Sequence, residues 1–307
     1  MRFRTGISNV ALLHKITRSL AALARSCVIR LSPEQVHFIV PGNESSTGVQ
    51  VWSSVSAEHC STLFDAYKIE SNANNEIWVE LHLDSLLKIL RSADSSVGSI
   101  NESRSTAALT ESDVTLKLNK KGQQPIWSFE IRGYTAQRKP MSITHEIPVK
   151  ILSARRQAEL NEPLCPQPDI HVVLPNLLEL RNIVSRLSHM ADDVKVSANH
   201  EGRLELTAKA PRVNLTTTWN DLSVPSSNID DDIANDDDQP PPPPDQMFTV
   251  TVAIKGFLKF LTSHLVGGAA IACICEDHCL IAYVYIGELN EAGGVMTFFV
   301  PAKMTDD

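Results

Sequence analysis

IWVELHLDSLLKIL, residues 77–90, and FTVTVAIKGFLKFL, residues 248–261, decide the architecture of this chain. In the first stretch Ile77, Val79, Leu81 and Leu83 alternate as they would along a strand, and Leu86, Leu87 and Leu90 then switch to helical spacing. The second stretch makes the same switch. At a constant offset of 171, Val79, Leu81 and Leu83 fall on Val250, Val252 and Ile254, and Leu86, Leu87, Lys88 and Leu90 fall on Phe257, Leu258, Lys259 and Leu261, without a gap. Self-similarity at a fixed offset fixes the plan of a fold before any motif is weighed, and here it predicts two copies of one unit.

Working outward, the helical pattern Leu13, Ile16, Leu20 maps with an offset of 167 onto Leu180, Ile183, Leu187. Each predicted helix follows a short strand, around residues 3–7 and 170–174, and precedes a hairpin, 27–31 with 36–40 and 194–198 with 204–208. The hairpin turns contain Ser32, Pro33 and Glu34 in one copy and His200, Glu201 and Gly202 in the other. The expected class is α+β, with two similar domains that each pack two helices on antiparallel sheets. The expected boundaries are residues 1–148, a Pro-bearing connector at 149–168, and 169–307. Residues 92–106, rich in Ser, are expected to form a surface loop; 226–246, with DDDIANDDDQPPPPPD at their centre, are expected to be a disordered insertion.

At 307 residues with 43% apolar and 21% charged side chains, the chain can build two self-sufficient cores without metal or disulfide staples. No apolar run is long enough to cross a bilayer, so no membrane role is expected. The net charge of -8 looks unsuited to a nucleic-acid partner, but seven Asp between 230 and 245 account for nearly all of it, and the remainder is close to neutral. The six cysteines, at 27, 60, 165, 273, 275 and 279, read as reduced thiols of a cytosolic or nuclear protein. Residues 1–33 carry six cations and no acid, as a mitochondrial presequence would. The repeat argues against that reading, because the first helix has its equivalent deep inside the chain.

The cations cluster on the predicted helices. Lys15, Arg18 and Arg25 lie opposite the apolar stripe of the first; Lys88 and Arg91 mark the second; Arg181 and Arg186 the third; Lys255 and Lys259 the fourth. Together these helices hold nine Lys or Arg against two acids, Asp84 and Glu179. A charged outer face is what any amphipathic helix shows to water, but such faces ordinarily mix signs, and the recurrence of cations on equivalent helices favours binding to DNA phosphates. Arg181 and Arg186 are five residues apart and cannot share one narrow stripe.

Other constellations point elsewhere. Cys273, Cys275, His278 and Cys279 offer zinc-ligand chemistry and would support a zinc-dependent enzyme, but Cys273 and Cys275 alternate along one strand face and read as core thiols. The Asp tract is flanked by Pro and Asn and reads as a solvated loop, not a metal site. There is no phosphate-binding Gly-rich loop ending in Gly-Lys-Ser/Thr, no G-x-S-x-G elbow and no H-E-x-x-H pair, so neither catalysis nor a cofactor is expected. Trp52, Trp78, Trp127 and Trp219 all sit in strand patterns, where sheet packing explains them better than base stacking.

A twofold strand-helix repeat with basic helices resembles the PCNA-like sliding clamps. The strings MRFR at 1–4, NNEIWVEL at 74–81, THEIPVK at 144–150, PDIHVVLP at 168–175 and FFVPA at 298–302 resemble, more narrowly, the Hus-type subunit of the DNA-damage checkpoint clamp, over residues 1 to about 302. The resemblance implies a non-catalytic nuclear subunit of a heterotrimeric ring, the 9-1-1 complex. Two paralogous subunits would complete the ring, an ATP-dependent clamp loader would place it on double-stranded DNA, and it would act in checkpoint signalling and DNA repair. A homotrimeric replicative processivity clamp is the alternative. The connector, which docks client peptides in replicative clamps, here carries Arg155, Arg156 and several prolines and departs from that pattern. Subunits of such rings join edge strand to edge strand. The expected edges are residues 126–132, with Phe129 and Ile131, and residues 213–219, with Leu215 and Thr217.

Overall fold

The computed structural model describes residues 1–57, 63–94, 110–135, 137–211, 213–225, 242–287 and 293–303. The chain divides into two compact units. The first comprises residues 1–46, 50–162 and 290–296, and the second 47–49, 163–289 and 297–307.

The first unit runs β1 (Arg2–Ile7), α1 (Val10–Ala21), β2 (Ser26–Leu31), β3 (Gln35–Val40), β4 (Gln50–Ser56), β5 (Phe64–Glu70), β6 (Ile77–His82), α2 (Leu83–Ala93), β7 (Thr110–Lys121), β8 (Gln124–Tyr134), β9 (Pro140–Pro148), β10 (Lys150–Ile151) and α3 (Ala154–Ala158). Its strands form two antiparallel sheets, in the orders β5-β1-β7-β8-β9 and β10-β6-β2-β3-β4. Helices α1 and α2 pack against each other. Leu13, Ile16 and Leu20 of α1 and Leu86 and Leu90 of α2 are at most 4% exposed. Burying each such side chain contributes roughly 1.5–3 kcal/mol, so this one face holds the helices on the sheets. Phe3, Leu116, Trp127 and Phe129 of one sheet and Ile29, Leu31 and Phe38 of the other meet Leu13 and Leu86 in a wholly apolar core.

The second unit runs β11 (Ile170–Val173), α4 (Leu177–Leu187), β12 (Asp193–Ala198), β13 (Leu204–Ala210), β14 (Val213–Trp219), β15 (Phe248–Ala253), α5 (Ile254–Phe260) with a 3₁₀ turn at Leu261–Leu265, β16 (Ala270–Cys275), β17 (Cys279–Ile286) and, from Thr297 on, β18 (Gly294–Pro301). Its sheets are ordered β18-β17-β16-β11 and β14-β13-β12-β15. The pairing β4-β3-β2-β6 of the first unit thus recurs as β14-β13-β12-β15, and β1-β7-β8 recurs as β11-β16-β17.

The repeat persists at the level of single hydrogen bonds. Asn9 caps α1, its Oδ1 accepting from the Leu12 N–H at 2.9 Å. Asn176, at the offset of 167, caps α4 by accepting from the Leu178 and Glu179 N–H groups at 3.0 and 3.3 Å. Leu83 and Ile254, at the offset of 171, are each the first residue of a helix that follows its strand directly, so Leu83 belongs to α2 and does not extend the strand. The freed N–H of each donates to the residue just ahead of the neighbouring strand, Leu83 to the Arg25 carbonyl at 2.9 Å and Ile254 to the Asp192 carbonyl at 2.8 Å. Asn→Ala at either cap leaves helix N–H groups without an acceptor and is expected to cost about 1 kcal/mol, read as an earlier denaturant midpoint with an unchanged slope.

Three segment assignments change. The expected loop at 92–106 starts late, because α2 continues to Ala93; residues 95–106 lie outside the described ones. Of the expected disordered insertion at 226–246, residues 226–241 lie outside the described ones, and the remainder holds a turn in which the Gln246 N–H donates to the Pro243 carbonyl at 3.0 Å. The expected connector has regular structure in its first half. There β10 pairs with β6, Ser153 caps α3, and Leu152 and Leu160 are buried with Val28, Ile39 and Trp78. Short elements escape a periodicity test because two strand residues and five helical ones span less than one informative window. All four tryptophans lie in strands, β4, β6, β8 and β14.

Candidate nucleic-acid interface

An amphipathic helix that buries Leu13, Ile16 and Leu20 must present Lys15 and Arg18 to water, and both are exposed. Lys88 and Arg91 of α2 are likewise exposed, on the helix packed beside α1. His14 Nδ1 lies 3.1 Å from Asp94 Oδ2 and ties α1 to the end of α2. The neighbouring cations of the two helices are therefore held on one layer of the first unit. Arg25 is exposed too, but it sits beyond α1, which ends at Ala21 as Leu23 and Ala24 turn into the core. Arg25 is thus a loop cation immediately before β2, not part of a helical stripe.

In the second unit Arg186 and Lys255 are exposed and Arg181 and Lys259 are half-buried. Burial holds the Lys259 ammonium below the ordinary lysine range. Arg181 stands at the offset of 167 from half-buried His14, which explains its position, and its Nε is buried without a hydrogen-bond partner among the described residues. Of these two arginines, which cannot share one narrow stripe, Arg186 is the more exposed. Lys88 is exposed where Lys259, its equivalent in the second unit, is half-buried.

The exposed helix cations have no ion-pair partner among the described residues, a state they share with exposed strand cations such as Arg4, Lys68, Lys120, Lys195 and Lys209, and what sets them apart is their grouping on the helices. Among the described residues the Lys and Arg ion pairs lie on strands, strand-adjoining residues and the connector. They include Arg30–Glu76 at 2.6 Å, Lys117–Glu130 at 3.1 Å, Lys121–Glu146 at 2.7 Å, Lys150–Glu80 at 3.3 Å and Arg156–Glu159 at 2.9 Å. Glu130, held by Arg132 and Lys117, and Glu76, held by Arg30, stay below the usual carboxylate range. No such pair forms, among the described residues, at Lys15, Arg18, Arg25, Lys88, Arg91, Arg186 or Lys255. Uncompensated positive charge is left on the helices, where phosphates can neutralise it.

One of the two expected edge strands moves. Residues 126–132 belong to β8, which is hydrogen-bonded on one side to β7 and on the other to β9. Phe129 and Ile131 are 0% and 1% exposed and serve the core. The outer strands of that sheet are β5 and β9, and at β9, next to β8, Met141 is 48% exposed beside Tyr134 at 44%. No signal in the sequence separates the two: Ile126, Trp127, Phe129 and Ile131 of β8 and Met141, Ile143 and Ile147 of β9 both read as strands with one apolar face. The strand β14 is an edge; Leu215 and Thr217 lie opposite buried Ala208 and Leu206 on the same sheet face, yet at this rim Leu215 is still 36% and Val213 51% exposed.

The zinc constellation does not converge. Cys273, Cys275 and Cys279 are buried while His278 is exposed at the hairpin tip, and among the described residues no group of three His, Cys, Asp or Glu side chains could hold a metal ion.

Residues 1–304 match the family model described as Hus1-like protein. The chain belongs to this family. It is 33% identical over 304 residues to "Checkpoint protein hus1" of Schizosaccharomyces pombe, covering 98% of each chain. To "Checkpoint protein HUS1" of Homo sapiens it is 25% identical over 307 residues, covering 98% of this chain and 99% of that one. Among solved structures, the Proliferating Cellular Nuclear Antigen of Entamoeba histolytica superposes with a TM-score of 0.67 at 15% identity, over 98% of this chain and 99% of that one. At that identity the likeness establishes the fold, and the Hus1-like chain has the PCNA-like clamp fold anticipated from its repeat.

Proposed function

We propose that this Hus1-like chain is the non-catalytic subunit of a nuclear, heterotrimeric checkpoint clamp that closes around duplex DNA, with two paralogous subunits completing the ring and an ATP-dependent loader opening it. The observation that carries the DNA contact is the grouping on the helices of exposed cations without acidic partners among the described residues, Lys15 and Arg18 of α1 beside Lys88 and Arg91 of α2, with Arg186 and Lys255 on the equivalent helices of the second unit. Lys15, Arg18, Lys88, Arg91, Arg186 and Lys255, joined by the loop cation Arg25, attract phosphates without reading bases. Binding is therefore sequence-independent, falls with salt and permits sliding, while closure of the ring provides retention.

Edge pairing through β9 and β14 supplies the subunit joints. An unpaired strand rim needs a partner, and the exposed apolar side chains Tyr134, Met141, Val213 and Leu215 at these two rims give a partner strand something to bury. Relatives named checkpoint proteins favour the checkpoint role over the replicative one. The test is co-expression with candidate paralogues followed by mass measurement in solution and electron microscopy of the particle. A three-component ring of one copy each is expected. A stable homotrimer of this chain alone would overturn the heterotrimeric reading.

A further inference from the structure

The segment leading into β11 is fastened to the hairpin of β16 and β17 by three hydrogen bonds. The Asp169 N–H donates to the Ile274 carbonyl at 2.9 Å, the Glu276 N–H donates to Asp169 Oδ2 at 2.7 Å, and the Cys275 thiol donates to the Pro166 carbonyl at 3.5 Å. The hairpin tip is itself fixed, because the His278 N–H donates to the Cys275 carbonyl at 3.0 Å and the Asp277 N–H to the Thr249 carbonyl at 3.1 Å. This fastening turns Leu164 outward, 98% exposed, and Cys165 inward, half-buried against the hairpin. Cys275 and Cys279 are direct cross-strand partners. The Cys279 thiol adjoins Cys275 across the hairpin and has Cys165 as its other sulfur neighbour. Three thiols from two separate stretches of chain thus converge at one place in the second unit, a cluster for which the clamp function has no use.

We propose that Cys165 and Cys279 form an oxidation site, at which a hydroperoxide installs a reversible disulfide between the segment preceding β11 and the β16–β17 hairpin. Cys165 is the member that solvent reaches, and Cys279 is the resolving thiol placed beside it. In the first step the Cys165 thiolate attacks one peroxide oxygen, the O–O bond breaks, and the leaving oxygen takes a proton to depart as water or an alcohol, leaving a sulfenic acid. In the second the Cys279 sulfur attacks the sulfenic sulfur, the S–OH bond breaks, and the hydroxide leaves as water with the Cys279 proton. The two thiols supply the two electrons that the peroxide accepts.

The remaining described thiols are poor competitors. Burial pushes Cys27 and Cys273 up to about 12, so neither offers thiolate at neutral pH, and the Cys275 proton is engaged by the Pro166 carbonyl. Burial raises Cys279 as well, so it offers peroxide little thiolate itself, and its part as the second sulfur comes from its place beside Cys165. A redox-responsive bridge of this kind agrees with a reducing compartment, where disulfides are transient.

The experiment treats the reduced full-length chain with graded hydrogen peroxide, blocks free thiols by alkylation and maps peptides by mass spectrometry without reduction. A Cys165–Cys279 cross-link is expected as the dominant bridge, reversed by dithiothreitol, abolished by Cys165→Ser and retained by Cys273→Ser. Cys165 is half-buried on an irregular segment, so its Ser variant tests the chemistry without a core substitution; circular dichroism identical to that of the parent confirms the comparison. Accumulation of sulfinic acid at Cys165 without a cross-link, a dominant Cys275–Cys279 bridge, or zinc retained by the reduced thiols in place of oxidation would each overturn the proposal. None of these outcomes depends on the clamp assembling.

Discussion

Replacing Lys15, Arg18, Lys88 and Arg91 together by alanine in the assembled clamp is expected to flatten the salt dependence of DNA binding by about 3.6 in the slope of log K against log salt, at about 0.9 for each phosphate contact removed. Between roughly 50 and 200 mM salt that difference amounts to about a hundredfold in affinity. The four side chains are exposed on two helices packed against one another and have no ion-pair partner among the described residues, so their removal takes nothing from the fold except charge. Fluorescence anisotropy on a duplex of arbitrary sequence, titrated at several salt concentrations, reads the slope. The matched control is Lys121→Ala with Lys150→Ala, two cations already paired with Glu146 and Glu80 on the sheets, and it should leave the slope nearly unchanged. If the helix and sheet variants behave alike, the helices do not carry the phosphate contacts.

Phe129→Ala is expected to destabilise the first unit by about 3–5 kcal/mol, the usual result of emptying a buried phenylalanine site. For a unit of this size that lowers the melting temperature by about 6–20 °C. Phe129 is 0% exposed, lies on a strand paired on both sides, and meets Trp127 edge-on with ring centres 6.3 Å apart. Its loss would weaken partner capture only by loosening the fold. Met141→Asp and Leu215→Asp, on the rims β9 and β14, should do the opposite: melting stays within about 0.5 kcal/mol of the parent, as at other surface sites, while co-purification with the paralogous subunits is lost. Thermal denaturation and affinity capture on the same set of variants separate the two effects. An intact complex from both rim variants would place the joints on other strands.

Much of the fold was legible because its signals are local. The switch from alternation to helical spacing at 77–90 and 248–261 is written in consecutive residues, and it returned as β6 followed by α2 and β15 followed by α5. The offset of 167 that aligned Leu13 with Leu180 also aligns the capping residues Asn9 and Asn176. It further aligns His14 with Arg181, so the half-buried setting of Arg181 could have been read from the repeat. The site was legible in part. Which helices carry cations follows from composition, but which cations remain unpaired does not, since a lysine on β7 and one on α2 look alike until Glu130 is found paired with Lys117 and, among the described residues, no acid paired with Lys88. The edge was misplaced for a related reason: alternation tells which face of a strand is buried, never which strand lies next to it.

The sequence by itself determined a twofold α+β repeat with basic amphipathic helices, because periodicity, caps and the strand-to-helix switch depend on neighbours within a turn or two of the chain. Only the tertiary structure decided that β9 and not β8 forms a free rim, that Arg25 leaves the helix, and that Cys165 reaches Cys279. Those outcomes rest on hydrogen-bond partners and burial supplied by residues far apart in the chain, and no local pattern encodes which distant group arrives to complete them.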